Sequence, residues 1–518
     1  PVEDKAARAT VHQLIREHLG KEAVSDTVDG AIRIRSLYHV KTKDIRGGIR
    51  GRQRDSALPV SWDEMPGHYC EFLLYKEGKD TMDAIDHICR TTRLHTKVFS
   101  YAGTKDRQAV TVQRVTAHKV TADRLLQVNQ HRAPVRVGNF RYVKQSLRLG
   151  DLGGNRFVIV LRDVKGCTED ALKTSLVSLS EHGFINYYGT QRFGTGTVPT
   201  QQIGACMLRA DWERVTQLLL TSEAGAGQEK SRPAQARTHW KEHQDPAAAA
   251  KLFPHHCVAE RALLQHFARR PENRTDYYGA VMAMPFNLRK LYAHGYQSYV
   301  WNCAATERIQ RYGLHPVVGD LVADHQRSAQ EAEDEADAAL STEDAAETNG
   351  RDRILSVVEV TADNVHLYRP EDVVLPLPGH RIRYPTNDIG AYIADLMKKD
   401  GLDPHAMERN VDFISLPGSY RRVLAVPRDV QWELLRYDDP TASLALSDLE
   451  RLAGKPEIHS DQGRYLAIRL AFTLTAGQYA TMALRELMHQ DTSSAYQFHL
   501  SKQHAQHAST SSTTTADE

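Results

Sequence analysis

The sequence predicts an α+β fold in which strands from the two ends of the chain share one sheet. Residues 69–76 and 465–475 both have the period-two alternation of side chains that is typical of half-buried strands. A strand as regular as 465–475 needs sheet partners, and the middle of the chain looks loop-rich and offers few. We therefore expect the late strand to pair with the early ones, which makes the middle of the chain an insertion.

The early elements are predicted from strand alternation and from helix caps. Cys70, Phe72 and Leu74 alternate along the strand at 69–76. Asp80 fits the N-cap position of the helix that follows. This helix has Met82, Ile85 and Ile88 on one apolar face. The other early elements are a helix at 10–18, strands at 97–101 and 109–116, and a helix at 122–128 capped by Thr121.

The later elements are predicted from apolar runs and stripes. Residues 157–161 form a short continuous apolar strand, and residues 168–181 form a helix that carries Leu172, Leu176 and Leu179. Near the end of the chain, strand 465–475 places Ile468, Leu470, Phe472 and Leu474 on one side, and a helix at 478–489 places Tyr479, Met482, Ala483 and Leu487 on one stripe.

Length and composition exclude several classes of protein. The chain has 518 residues, 41% hydrophobic and 25% charged, so we expect two to four globular domains of about 150 residues each. Its apolar runs fall far short of the roughly 20 residues that a membrane span needs. The six cysteines form no C-x-x-C pair, which argues against a zinc ribbon or a disulfide scaffold and favours a reducing compartment. Because the chain begins with Pro1 rather than Met, we expect a fragment or a processed form.

The net charge of +1 hides a strong segregation of charge along the chain. Between Arg90 and Lys165 there are sixteen Lys and Arg residues and four acids, whereas residues 331–347 contain eight acids and no base. The basic stretch is a candidate surface for a polyanion such as nucleic acid; the alternative is an ordinary solvated face. The acidic run predicts a flexible loop, and the polar residues from 501 onward predict a disordered tail.

Most motifs that would indicate other chemistries are incomplete. Gly-rich turns at 103–105 and 194–196 lack the spacing of a phosphate loop or a dinucleotide fingerprint. Residues 255–257 (HHC) have no partner pair at the spacing of zinc ligands, so we expect no metal site. The chain also contains no G-x-S-x-G nucleophile elbow.

A single acid in the basic stretch is the best candidate for chemistry. Asp106 lies between two predicted strands and is flanked by Lys105 and Arg107, whose charges favour an ionised carboxylate. Such a carboxylate at a strand-connecting turn could act as a nucleophile. The alternative is a turn aspartate that hydrogen-bonds its own backbone.

Further distinctive segments follow Asp106 along the chain. The most specific is FINYYGTQRFG at residues 184–194. The others are YAGTKDRQAVT at 101–111, GNRFVIVL at 154–161, YQSYVWN at 296–302, LPG at 377–379 and GQYATMALRE at 477–486. In this order they resemble the TruD family of pseudouridine synthases, from about residue 69 to residue 489. Residues 75–84 (YKEGKDTMDA) are more similar to the eukaryotic branch than to the bacterial one.

The resemblance implies an enzyme that isomerises uridine to pseudouridine in RNA without a cofactor or a metal. Asp106 matches the catalytic aspartate, which attacks the ribose C1′ or removes a ribose proton. The target uridine is flipped out of the RNA at a cost of a few kcal/mol. The implied substrate is tRNA, with messenger or small nuclear RNA as further possibilities.

The resemblance also implies a set of substrate-binding residues. Phe157 matches the residue that stacks on the target base, Asn155 one that contacts it, and Tyr479 a further aromatic position. Lys105, Arg107 and Arg192 are implied to bind substrate, with Arg192 and the basic stretch holding phosphates. Each has a structural alternative: Phe157 in the core, Tyr479 packed on its helix stripe, Asn155 capping a turn and Arg192 bracing its turn.

The implied architecture is a pseudouridine-synthase catalytic domain, α+β around a mixed, largely antiparallel sheet, with an inserted TRUD-type α+β domain. The catalytic domain comprises residues 1–186, with 1–68 irregular, and 424–490. The insertion spans 187–423, including an acidic flexible loop at 325–350, and 491–518 is a disordered tail. Family members also carry an upstream D-F-x-V-x-E-like strand, which contributes an aromatic and a basic residue near the aspartate; residues 1–62 contain no such element.

Two other functions are compatible with the sequence. One is a non-catalytic RNA-binding or assembly factor on the same fold, suggested by the missing upstream element. The other is a protein-interaction module that uses the acidic loop and the tail. We expect an intracellular protein, in the nucleus or the cytoplasm, with the mitochondrion as the alternative.

Overall fold

The computed structural model describes residues 5–19, 23–28, 31–36, 62, 65–130, 132–194, 198–221, 231–324, 356–457 and 462–490. The chain divides into two compact units, unit 1 (residues 1–151) and unit 2 (residues 152–518). The predicted acidic loop and the predicted tail lie outside the described residues. The predicted domain boundaries at 186, 423 and 490 remain predictions.

Unit 1 is built around a four-stranded antiparallel sheet. Its elements are α1 (Lys5–Leu19), β1 (Ala23–Val28), β2 (Ala31–Ser36), β3 (Tyr69–Glu77), α2 (Thr81–Thr92), β4 (Phe99–Tyr101), β5 (Val110–His118), α3 (Ala122–Leu126) and β6 (Val135–Val143). The sheet has the order β4-β5-β3-β6. The apolar face of β3 packs with α2 and α3 in one core. Strand β3 is therefore the buried centre of the unit.

Several sequence predictions for unit 1 need correction. The helix after Asp80 begins with the expected cap, since the Asp80 carboxylate accepts from Asp83 N–H, but Met82 is exposed rather than packed. Thr121 precedes α3 without a side-chain cap hydrogen bond. Part of the region expected to be irregular is regular, because α1 is followed by the antiparallel hairpin β1–β2.

The described part of unit 2 combines three antiparallel sheets, of three, four and two strands, with many helices. Its elements up to the long helix are β7 (Asn155–Leu161), α4 (Glu169–His182), β8 (Phe184–Ile185), α5 (Thr200–Leu208), α6 (Trp212–Thr221), α7 (Arg232–His243), α8 (Pro246–Leu252), α9 (Val258–Arg269), α10 (Tyr277–Met282) and α11 (Phe286–Tyr312). They are followed by β9 (Leu321–Ala323), β10 (Val357–Glu359), β11 (Val373–Leu377), α12 (Asp388–Lys399), β12 (Ser419–Arg422), β13 (Leu424–Ala425), β14 (Arg428–Tyr437), α13 (Asp448–Leu452), β15 (Tyr465–Leu474) and α14 (Ala480–Met488).

The late strand β15 pairs with one predicted earlier strand, β7, whereas the first predicted strands, β3, β4 and β5, form the separate sheet of unit 1. Strand β15 lies between β14 and β7, and its register on β7 places Leu474 opposite Asn155 and Phe472 opposite Phe157. The inward side chains of β15 pack with α4 and α14 in one core. The pairing confirms that residues far apart in the sequence complete one sheet.

The middle of the chain is helical, so the expectation that it is loop-rich is wrong, while the expectation that it is an insertion remains a prediction. Helix α11 runs for 27 residues and buries Tyr296, Val300 and Trp301. A four-stranded sheet, β10-β9-β11-β12, accompanies the helices. A buried ion pair joins Arg308 to Asp320 at 2.7 Å.

The α+β prediction is confirmed, and all ladders between the described strands are antiparallel. A search of the described helices finds no segment with the length and apolar character of a membrane span.

Candidate active site

Asp106 lies on the loop between β4 and β5 of unit 1, with an exposed side chain. Its neighbour Arg107 is also exposed, whereas Lys105 is half-buried. Burial lowers the pKa of Lys105, and the negative charge of Asp106 partly opposes this shift. The loop thus presents a carboxylate to solvent between two cations, as the sequence predicts.

Two buried side chains bind the backbone of the loop just before Asp106. The Lys105 N–H donates to Thr81 Oγ1 at 2.9 Å, and the Thr81 hydroxyl donates in turn to Gln113 Oε1 at 2.9 Å. The amide of Gln113 donates back to the carbonyl of Gly103 at 2.9 Å. Thr81 and Gln113, which are 0% and 8% exposed, therefore link the loop to α2 and β5.

A buried lysine binds the other side of the same loop. Lys76, near the end of β3, is 0% exposed. Its ammonium donates to the carbonyls of Lys79 at 2.7 Å, Lys105 at 3.2 Å and Asp106 at 2.7 Å. Burial lowers the pKa of Lys76, while the charges of Asp106 and Asp80 act in the opposite direction.

The basic residues around the loop are largely solvent-exposed. Of the thirteen Lys and Arg residues from Arg90 to Arg148, all except Lys105 and Arg136 are exposed. Glu71 forms ion pairs with Arg141 at 2.6 Å and, more weakly, with Arg114 at 3.9 Å. Most of the positive charge of this stretch is therefore accessible to a polyanion.

Asn155 and Phe157 lie two residues apart on β7, so both side chains point to the same face of the sheet. Phe157 is half-buried, and its ring lies 5.6 Å from that of the fully buried Phe472. The preceding Gly154 has a φ of 148°, and a Cβ there would lie 2.3 Å from the carbonyl oxygen of Leu474. Phe157 therefore packs beside Phe472 on the neighbouring strand and remains partly accessible to solvent.

Tyr479 is the N-cap residue of α14 and lies shortly after the end of β15. Since β15 ends opposite Asn155, the strand brings Tyr479 to the same end of the sheet. Its ring packs edge-on against Tyr188 at 6.2 Å. The prediction that Tyr479 lies within the helix is corrected by this cap position.

A buried arginine holds the aromatic residues around Tyr479 together. The Arg421 guanidinium lies 4.1 Å from the ring centre of Tyr188, 5.4 Å from Trp301 and 5.9 Å from Tyr479. It also donates to the backbone carbonyl of Asn186 at 2.9 Å and to its Oδ1 at 2.6 Å. The signature segment 184–194 therefore supplies the ring and the acceptors of a buried cation–π stack.

Arg192 contacts the same Tyr188 ring. Its guanidinium lies 5.9 Å from the Tyr188 ring centre, and its Nε donates to Ser298 Oγ at 3.2 Å. These contacts match the bracing role that was the alternative for Arg192. Phosphate binding by Arg192 remains a prediction.

The structure places the predicted site residues in two groups. Asp106, Lys105 and Arg107 belong to unit 1, whereas the base-contacting candidates and Arg192 belong to unit 2. No group of three His, Cys, Asp or Glu residues suited to a metal ion occurs among the residues that the structure describes.

Sequence reasoning missed the residues that support the site. Lys76, Thr81, Gln113 and Arg421 carry no motif of their own, and only their long-range partners reveal them. The one available signal was position: Lys76 and Thr81 lie in the segment 75–84 that carries the eukaryotic resemblance.

Comparison with known proteins gives consistent results. Residues 35–487 match the family model described as "tRNA pseudouridine synthase D (TruD)". "Pseudouridylate synthase 7 homolog" of Mus musculus is 37% identical over 496 residues, covering 95% of this chain and 68% of that protein. "Multisubstrate pseudouridine synthase 7" of Schizosaccharomyces pombe is 37% identical over 506 residues, covering 96% and 72%.

A solved structure supports the fold. A chain assigned to tRNA pseudouridine synthase D of Methanosarcina mazei superposes with a TM-score of 0.58 at 24% identity, covering 82% of this chain and 89% of that chain. At this level of identity the match concerns the fold alone, and it agrees with the α+β class predicted from the sequence.

Proposed function

The chain belongs to the TruD family of pseudouridine synthases, and from this premise we propose that it isomerises uridine to pseudouridine in RNA with Asp106 as the catalytic carboxylate. The observation that carries the proposal is the Asp106 loop. Its side chain is exposed, while the backbone on both sides is bound by buried polar groups. A reactive group on a fixed backbone is what catalysis by positioning requires.

The chemistry needs no atom from outside the substrate. The N1–C1′ bond of uridine breaks, the uracil turns, and its C5 joins C1′. The hydrogen on C5 is lost and N1 gains one, so substrate and product are isomers. Asp106 serves in one of two ways: it bonds to C1′ as the N1–C1′ bond breaks and is released when C5 attacks C1′, or it removes a ribose proton and returns it when the C5–C1′ bond forms.

Base recognition is assigned to the residues of β7 and to Tyr479. The open part of the Phe157 ring provides a stacking surface, and Asn155 on the same face provides both a donor and an acceptor for the uracil edge. Stacking of one base on an aromatic side chain contributes about 1–3 kcal/mol. This offsets the few kcal/mol needed to flip the uridine out of its helix.

The proposed substrates are tRNA and at least one further class of RNA. The family model is described by its action on tRNA, and the fission-yeast relative is named a multisubstrate enzyme. Messenger and small nuclear RNA are the candidates for the second class. The exposed basic residues of unit 1 would bind their phosphates without regard to sequence.

Replacement of Asp106 tests the proposal. The chain and its Asp106→Ala and Asp106→Asn variants are incubated with unmodified tRNA, and pseudouridine is measured by nucleoside mass spectrometry. We expect product from the wild-type chain and none from either variant, with RNA affinity largely retained. Asp86→Asn, which removes an exposed carboxylate from α2, is the matched control and should retain activity. Turnover by Asp106→Ala would refute the assignment.

A further inference from the structure

We propose that Lys76 is a positioning residue for the reaction: its buried ammonium fixes the backbone at Lys105 and Asp106 and thereby sets the direction of the Asp106 carboxylate. The inference rests on the proposed function of Asp106. Nothing in the sequence assigns a role to Lys76, which stands at the end of a strand where a solvent-facing lysine is expected.

The burial of Lys76 is unusual for its residue type. Lysine is almost never fully buried unless its charge is compensated, because its flexible stem normally carries the ammonium to water. Lys76 is 0% exposed and occupies the central strand of the unit 1 sheet. Burial of a charged group is costly, so hydrogen bonds within the protein must replace those that the ammonium loses to water.

The contacts of Lys76 use all three N–H donors of its ammonium group. An ammonium has three N–H donors and no acceptor. The three carbonyls within reach belong to Lys79, Lys105 and Asp106, at 2.7, 3.2 and 2.7 Å. The group therefore has no donor left for an RNA phosphate or for proton transfer, and its role is confined to holding the backbone.

The geometry of these contacts makes Lys76 a clamp between two segments. Lys79 follows β3 directly, whereas Lys105 and Asp106 belong to the loop some thirty residues further along. Among the described side chains, Lys76 donates directly to the carbonyl of Asp106 itself. Thr81 and Gln113 hold the preceding residues of the loop, and the Gly78 N–H donates to the carbonyl of Ala109 at its end, so Lys76 fixes the part between them.

A positioning role and a merely structural role predict different results. Loss of a structural contact lowers stability but leaves the turnover of the folded molecules unchanged. Loss of a positioning contact lowers kcat, because a displacement of about 1 Å can reduce the rate by about a hundredfold. Loss of a positioning contact leaves KM unchanged, since the RNA-binding surface is not altered.

The test compares Lys76→Met, Lys76→Gln and Lys76→Arg with the full wild-type chain. Met fills a similar volume without donors, Gln is too short to bridge the two segments, and Arg restores a cation with donors. Lys173→Met, at an exposed position on α4, is the matched control. The measurements are kcat and KM on unmodified tRNA, RNA affinity, and hydrogen–deuterium exchange of the peptide covering residues 102–109.

We expect Lys76→Met and Lys76→Gln to lower kcat by about ten- to a hundredfold, with KM and RNA affinity within about threefold. Amide exchange should rise in residues 102–109, and Lys76→Arg should recover part of kcat. If Lys76→Met does not fold, Lys76→Gln carries the same expectation. A wild-type kcat in the folded neutral variants overturns the inference and leaves the proposed function intact.

The amide-exchange arm separates this inference from the proposed function. If neither the wild-type chain nor Asp106→Asn makes product, the proposed function fails. Exchange of residues 102–109 then still decides whether Lys76 holds the loop. Unchanged exchange in the neutral variants overturns the inference, and raised exchange confined to this peptide supports it.

Discussion

Replacement of Thr81 by Val breaks the network before Asp106 without changing the shape of the side chain. Thr81 Oγ1 accepts from Lys105 N–H and donates to Gln113 Oε1, both at 2.9 Å. Valine has the same branching but neither a donor nor an acceptor. The substitution therefore leaves one donor and one acceptor unpaired in the interior of unit 1.

The expected cost follows from these two groups. A buried polar group left without a partner costs about 1–3 kcal/mol. Since the contact to Lys105 is only partly buried, we expect Thr81→Val to lower the free energy of unfolding by about 2–4 kcal/mol. Thr81→Ser keeps the hydroxyl and loses one buried methyl group, at about 1 kcal/mol. For a unit of this size the Val variant should melt roughly 5–15 °C lower.

Calorimetry of the full chain measures the loss of overall stability, and amide exchange measures the loss of protection at the loop. The Lys105 amide should lose its protection in Thr81→Val and keep it in Thr81→Ser, because only the latter retains the acceptor. We also expect kcat to fall in the Val variant while RNA affinity holds. Equal stability of the two variants, within about 0.5 kcal/mol, would show that the network contributes nothing.

Two further predictions concern the base platform and the core of unit 1. Phe157→Leu should reduce kcat/KM at least about tenfold through loss of base stacking, whereas Phe157→Tyr retains the ring and should stay near wild type; an active Leu variant in single-turnover kinetics would contradict this. Burial raises the pKa of the Cys70 thiol to about 12, so at pH 8 only about one molecule in ten thousand carries the thiolate. In the folded chain, N-ethylmaleimide should therefore modify the exposed Cys167 and spare Cys70, and equal labelling rates by peptide mass spectrometry would contradict the burial.

The strands that the sequence predicts are those with a regular apolar alternation. The period-two pattern of apolar residues identified β3 and β15, although the structure buries residues on both faces of each strand. Strand β14 was missed because it is an edge strand whose inward side chains are mostly half-buried and alternate with exposed ones. Strand β6 was missed because an extra residue in β6, where residues 138–141 lie opposite 71–73, breaks the alternation near Asn139, which has a φ of 54°.

The helical middle of the chain escaped prediction for the opposite reason. Helix α11 is buried on several sides, so Gly295, Tyr296, Gln297 and Ser298 are buried in succession. A run of buried small and polar residues produces no apolar stripe, and the hydrophobic pattern of an amphipathic helix is absent. Its neighbours, and not its own periodicity, keep this segment helical.

Sequence patterns predicted those residues of the candidate site that lie in a recognisable motif, and they missed the buried residues outside such motifs. Asp106 stands between two cations in the sequence and in the structure alike. Lys76 could not be found in this way, because its importance depends on carbonyls that follow it by about thirty residues. Arg421 is similar, since its acceptors belong to Asn186, more than two hundred residues earlier.

Exposure to solvent distinguishes the proposed catalytic residue from the buried residues that hold the structure in place. Asp106 is exposed, so we expect Asp106→Asn to remove the proposed catalytic carboxylate at little cost in stability. Arg421 and Lys76 are fully buried, so their replacement changes packing and geometry together. The most recognisable segment of the chain, residues 184–194, belongs to the second class: its Tyr188 and Asn186 surround a buried guanidinium. A specific sequence signature can therefore mark a buried structural network, while the proposed catalytic carboxylate lies elsewhere in the chain.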